Sequence, residues 1–243
     1  MTAPIYAIGD IHGHLDKLQD VLARIERDGG PDAQVVFLGD LVDRGPNSRE
    51  VIELVMNGIK NGRNWIAIKG NHDRMMAYWL QGPAPDPQML VGYHWLHERI
   101  GGIETLTSYG IEITDTARYY KVHPQVLEAV PQSHRDFLIS MPYFHKSEDL
   151  LFVHAGIRPG IALMDQSNDD LCWIRRDFLD YTKPHPWLVV HGHTHRRSPE
   201  HHGNRVNLDT GAGHGRALTA AAFEGRDCWV LGENGREALR PGD

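Results

Sequence analysis

Ile5-Tyr6-Ala7-Ile8-Gly9-Asp10-Ile11-His12-Gly13 and Val35-Val36-Phe37-Leu38-Gly39-Asp40-Leu41-Val42-Asp43-Arg44-Gly45 share one pattern, an apolar run closed by glycine and aspartate. A short run that is apolar at every position reads as a strand buried on both faces of a sheet. Three further runs end in the same way. Residues 65–68 lead into Lys69-Gly70-Asn71-His72-Asp73, residues 150–153 into His154-Ala155-Gly156, and residues 188–190 into His191-Gly192-His193. In open α/β sheets, ligands bind outside the carboxyl ends of the strands, so five such ends would bring these polar groups to one rim. Glycines beside them permit turns tight enough to leave room for a ligand.

Working outward, Leu15, Leu18, Val21, Leu22 and Ile25 have helical spacing, and Gly29-Gly30-Pro31 stops that helix. Ser48 is placed to cap a second helix carrying Val51, Ile52, Leu54 and Val55. Strand alternating with helix predicts an α/β layered fold. From about 75 to 145 the pattern changes to helical fragments broken by Pro83, Pro85, Pro87 and Gly101-Gly102, which reads as a helical cap inserted over one edge of the sheet. Residues 205–208, 218–223 and 228–231 look like strands of a second, more antiparallel sheet. The expected architecture is two packed mixed β-sheets flanked by helices, four layers in all, with the cap insertion at about 75–145 belonging to a single domain, 1–243.

Composition narrows the function. At 243 residues the chain can bury a full core. Lys+Arg 25 against Asp+Glu 32 gives a formal charge of −7, which builds no basic field for nucleic acid or an anionic membrane, so any anionic substrate needs a local cluster of cations. Cys172 and Cys228 make neither a disulfide framework nor a C-x-x-C pair, which fits a reducing cytoplasm. The opening residues show no signal-peptide pattern and no run of about 18 apolar residues occurs. A cytoplasmic protein without membrane or nucleic-acid partners is expected; its oligomeric state is not legible.

The donor types suit two hard or borderline divalent cations. Asp10, His12 and Asp40 can make one oxygen and nitrogen site, and Asn71, His154 and His193 another, with Asp40 bridging. Cations about 3.5–4 Å apart lower the pKa of a shared water and neutralise charge on a phosphoryl group, so no serine or cysteine nucleophile is needed. His72, next to Asn71, and Asp43, three residues beyond Asp40, form a candidate general-acid pair. Arg44 and one arginine of Leu171-Cys172-Trp173-Ile174-Arg175-Arg176 are candidates for phosphate contacts. Each signal alone has a blander reading as a turn or a core residue; five in order leave that reading little room. Elsewhere the bland reading holds: His123, His134, His145, His185, His201 and His202 are taken as solvated, and Trp79, Trp95 and Trp173 as packing.

The ordered set Gly-Asp-x-His-Gly, Gly-Asp-x-Val-Asp-Arg-Gly, Gly-Asn-His-Asp, His-Ala-Gly and Gly-His-Thr resembles the calcineurin-like metallophosphoesterases. Within them it is most similar to the bacterial and phage branch of the serine/threonine phosphoprotein phosphatases, a likeness that runs from Ile5 to about Phe223. The resemblance implies that Asp10, His12 and Asp40 hold one metal and that Asp40, Asn71, His154 and His193 hold the second. It implies further that His72 with Asp43 protonates the leaving group and that Arg44 and Arg175 grip the phosphate. Manganese is the usual metal of such relatives, iron or zinc the alternatives. Three positions depart from the pattern: Asp73 where glutamate is commoner, Lys69 where arginine is commoner, and His195, a possible further ligand of the first metal.

The expected activity is phosphoric ester hydrolysis by a metal-bridging hydroxide on a phosphorylated protein or peptide. A small phosphate-containing metabolite is the rival substrate, the enzyme then being a symmetrical dinucleoside polyphosphate hydrolase with a different cap. A catalytically silent metal-binding module is disfavoured because every ligand, acid and phosphate-binding position is filled.

Overall fold

The computed structural model describes residues 3–113 and 119–242. In chain order the elements are β1 (Ile5–Ile8), α1 (Leu15–Gly29), β2 (Gln34–Phe37), α2 (Ser48–Lys60), β3 (Trp65–Ala67), α3 (Asn71–Gln81), α4 (Gly102–Ser108), α5 (Tyr119–Ala129), α6 (Gln132–Ser140), β4 (Phe144–Lys146) and β5 (Leu150–Val153). There follow α7 (Asn168–Trp173), α8 (Arg176–Leu179), β6 (Leu188–His191), β7 (Glu200–His201), β8 (Arg205–Asn207), β9 (Ala220–Glu224), β10 (Asp227–Gly232) and β11 (Gly235–Leu239).

The strands form two mixed sheets, one in the order β11-β10-β9-β1-β2-β3 and the other β4-β5-β6-β8-β7. Side chains alternate across each strand, so each strand serves two apolar layers. Tyr6, Ile8, Val35 and Phe37 face α1, α2 and the helical insertion, while Ala7, Val36 and Leu38 face Phe152, Val190 and Val206 of the other sheet. Leu151, Val153 and Val189 look the opposite way, onto Leu171, Ile174 and Phe178. Helix, sheet, sheet, helix is the four-layer arrangement expected.

The two central parallel sets, β1-β2-β3 and β5-β6-β8, end on the same rim. Two expectations need correction. The strands after residue 218 do not make the second sheet: β9 pairs antiparallel with β1, and β10 and β11 continue outward from it. Alanines at 220, 221 and 222, all buried, let β9 fit into the middle of the first sheet. Ser48 is not a cap either. Asn47 precedes α2, and the Ser48 hydroxyl accepts the Asp43 N–H (3.1 Å) instead.

Candidate metal centre

Beyond β1 and β2 the chain turns sharply and the two turns bind each other. The N–H groups of Ile11 and His12 both donate to the Asp40 carbonyl (3.1 and 2.8 Å), and Gly13 N–H donates to Leu41 (2.9 Å). Among the described residues, the non-glycine positions with positive φ are His12 (51°), Asp40 (51°), Asp43 (74°), Arg44 (69°) and His193 (65°). Such backbone is unfavourable for side-chain-bearing residues and persists where surrounding contacts over-determine it, as at functional sites. Every one of them is a residue singled out from the sequence.

Asp73 is one reason the turns hold. From the first turn of α3 its carboxylate accepts the N–H groups of Asp40 (2.8 Å), Leu41 (2.9 Å) and Gly70 (2.9 Å), stapling the end of β2 to the start of α3. Lys69 turns away, donating Nζ to the Ile139 carbonyl (2.9 Å). Gly70 and Gly192 could not be larger, because an added Cβ would run into the carboxylates of Asp40 and Asp10 respectively.

A cavity of about 200 Å³ is lined by Asp10, His12, Asp40, Arg44, Asn71, His72, Arg175 and His193, with Asp209, His195 and His214 completing the wall. His154 lies fully buried behind Asp40, and Asp43 lies buried behind His72. All ten residues expected to act are therefore together. His195 is exposed at the rim, its ring 4.7 Å from His214. His191 is buried on the Phe178 side, away from the cavity.

The donor set fits cations. His12 donates Nδ1–H to the Val42 carbonyl (3.0 Å) and His154 donates Nδ1–H to Leu38 (2.8 Å), which leaves both Nε2 lone pairs facing inward. His154 Nε2 then sits 2.8 Å from Asn71 Oδ1 and 3.5 Å from Asp40 Oδ1, acceptor against acceptor with no proton between. Burial holds the His154 ring down at about 4, so protonation does not relieve the contact at neutral pH. His193 Nε2 is buried without a hydrogen-bond partner.

The carboxylates show the converse. Burial, then the negative charges of Asp209 and Asp40, push Asp10 well up, and burial pushes Asp40 up to about 7. Converging lone pairs and mutually repelling buried carboxylates are what a cation offsets. Two groups have ligand atoms all within 4.8 Å of one another, His12–Asp40–His72 and Asp10–Asp40–His154. Asp40 belongs to both; the groups divide the donors differently from the expected sites, with His72 beside His12 and Asp10 beside His154.

Beside this set, His72 Nδ1 donates to Asp43 Oδ2 (2.7 Å). Its Nε2 opens to the cavity, where it accepts from Arg44 Nη2 (3.1 Å), while Arg44 Nη1 reaches His12 Nε2 (2.8 Å). Burial, followed by the Arg44 charge, keeps the His72 ring well below its usual value. Asp43 is raised by its own burial, against which hydrogen bonds from Thr105 and Trp95 pull it down.

Some participants escaped the sequence reading. Asp209 follows β8 as the other ligand-type residues follow their strands, so the same strand-end rule would have found it. Trp95 was expected only to pack; it is buried, but its indole N–H donates to Asp43. Nothing in an isolated tryptophan between prolines and glycines signals that. His134, His185 and His201 are buried, not solvated; His134, for example, meets the Tyr109 hydroxyl (2.7 Å).

The fold and centre define a metallophosphoesterase. The chain belongs to the calcineurin-like phosphoesterases, whose family model matches residues 3–216, and it is a phosphoric ester hydrolase. It is 28% identical to the asymmetrical bis(5'-nucleosyl)-tetraphosphatase PrpE of Halalkalibacterium halodurans, over 89% of this chain and 88% of that one. The protein of the same name from Oceanobacillus iheyensis is 27% identical over 89% and 87%. Among solved structures, a protein provisionally described as a diadenosine tetraphosphatase superposes with a TM-score of 0.64 at 20% identity, over 100% of this chain and 96% of that one. The cold-active protein-tyrosine phosphatase of a Shewanella species gives 0.63 at 18% identity, over 99% and 81%. At such identities these two likenesses speak for the fold alone. No helix among the described residues is long and apolar enough to cross a membrane.

Proposed function

We propose that the chain hydrolyses dinucleoside tetraphosphates, the small-metabolite alternative and not the phosphoprotein reading. The observation that carries this is the similarity to the two tetraphosphatases across nearly nine-tenths of both partners in each comparison. Those relatives are named for asymmetrical cleavage, so we take asymmetrical products over the symmetrical ones the sequence suggested. We place the enzyme in the cytoplasm.

Asp10, His12 and Asp40 would hold one divalent cation and Asp40, Asn71, His154 and His193 the other, manganese first and iron or zinc as alternatives. When bound, such a pair supplies Lewis-acid stabilisation and an activated water. The chain's own residues do the rest. Arg44 and Arg175 face the cavity from opposite loops and grip the non-bridging oxygens of the phosphoryl group undergoing attack. Drawing Arg44 onto phosphate takes its charge off His72 Nε2, and the arriving anion favours a proton there. Asp43 holds Nδ1, so the proton at Nε2 is the one delivered to the departing oxygen.

Turnover of diadenosine tetraphosphate in manganese buffer, with products separated by chromatography, tests the proposal. AMP and ATP in equal amounts are expected. Failure to cleave it alongside efficient release of phosphate from a phosphoserine or phosphotyrosine peptide would restore the phosphoprotein reading.

A further inference from the structure

Asp43 sits at the crossing point between the centre and the helical insertion. Its carboxylate is fully buried, and its φ of 74° is one the residue would not hold unaided. Oδ2 receives His72 Nδ1 (2.7 Å). Two further donors reach the same carboxylate, and both come from the insertion. Trp95 Nε1–H is shared between Oδ1 and Oδ2 (3.0 and 3.1 Å), and the Thr105 hydroxyl donates to Oδ1 (2.8 Å). The same hydroxyl accepts the Asp43 N–H (2.9 Å). An indole nitrogen can only donate, so the direction of the first contact is fixed.

The insertion is anchored where it does this. Gly101 offers its carbonyl to the Arg44 N–H (3.1 Å), and the Trp95 ring packs on Trp79 with centroids 5.3 Å apart. Trp79 lies on α3, the helix that begins with Asn71 and His72. One helix thus carries the acid at its start and, two turns later, the platform for the tryptophan that orients the acid's partner.

We propose that Trp95 and Thr105 are positioning residues: from the insertion they fix the orientation of the Asp43 carboxylate so that His72 presents its Nε2 proton to the leaving oxygen. Neither touches the cavity. The proposal rests on reading His72 and Asp43 as the acid pair and is independent of which phosphate compound is the physiological substrate. Without both donors the carboxylate has room to turn, and Nδ1 loses its aligned acceptor. What suffers then is protonation of the leaving group, not binding of the phosphate or of the metals.

That selectivity gives a test. General-acid assistance matters little when the leaving group is a stable anion and much when it is basic. Trp95→Phe, Thr105→Val, Thr105→Ser and His72→Asn are compared with the parent on a series of aryl phosphates from p-nitrophenyl to phenyl phosphate, with manganese content measured on each. Trp95→Phe and Thr105→Val should lose about tenfold in kcat on phenyl phosphate and only about twofold on p-nitrophenyl phosphate, with KM and metal content unchanged. Thr105→Ser, which keeps the hydroxyl, should behave as the parent. His72→Asn should show the steepest dependence.

If His72→Asn is steep but both positioning variants lose rate equally across the series, the proposal is overturned while the acid pair stands. If His72→Asn is flat, the acid pair itself fails and the proposal with it. The two variants act on separate donors, so a folding defect in one leaves the other as the measurement.

Discussion

Each ring and carboxylate of the centre is set by burial before any ligand arrives. His12, His72 and His193 are held well below the usual imidazole range, first by loss of solvent and then by neighbouring positive groups, so their nitrogens are available as acceptors at neutral pH. His72 differs from the others in that Asp43 holds its Nδ1 while its Nε2 opens toward Arg44. His72→Asn should therefore keep the metals yet lower turnover of a phenyl ester by about 10²–10⁴-fold. Metal analysis beside steady-state rates checks this, and unchanged turnover would remove the acid role. The ligand-type residues were legible because each follows an apolar strand, a rule that works along the chain. Trp95 and Thr105 were not, because their role exists only at sequence separations of 52 and 62 from Asp43.

At the level of elements, the five strand cores and the first two helices follow from periodicity, since an apolar run or a helical stripe specifies burial. Which strand lies beside which does not follow. Residues 218–223 read as a strand, yet only the fold shows that the strand's register sets Ile5 against Phe223. The far edge of that sheet is tied back by one clamp. Arg236 on β11 donates Nε to both carboxylate oxygens of Asp28 near the end of α1 (2.9 and 2.8 Å), and the Tyr6 hydroxyl of β1 donates to the same carboxylate (2.6 Å). Burial alone would raise the Asp28 carboxyl, but the Arg236 and Tyr6 hydrogen bonds outweigh it and hold it below its ordinary value. A depressed carboxyl stabilises the fold above the unfolded value of about 3.9, and that stabilisation is lost as pH falls through the lower folded value. Arg236→Ala should cost about 1 kcal/mol at pH 7, with the difference from the parent shrinking at acid pH as the folded-state carboxyl takes up its proton. Urea denaturation at both pH values reads it; an equal loss at each would mean that packing of the arginine stem, not the ion pair, is responsible.

Across the whole molecule, two sheets end on one rim, and the helices of residues 102–140 pack on α2 and α3 without lining the cavity, so they do not cover that rim as the cap reading expects. The α/β layering was readable because sheet-type and helix-type periodicities alternate along the chain. The substrate was not readable, since the same strand-end donors serve any phosphoryl group and the difference lies in surfaces that carry no motif. What the fold accomplishes is convergence: donors from β1, β2, β3, β5 and β6 meet around Asp40, whose two oxygens lie 3.6 Å from His12 Nε2 and 3.5 Å from His154 Nε2. Equilibration of the purified chain with manganese, followed by elemental analysis of the parent and of Asp40→Ala, addresses that convergence directly. Two ions per parent chain and nearly none in Asp40→Ala are predicted; a variant that still holds two ions would show that Asp40 does not bridge them.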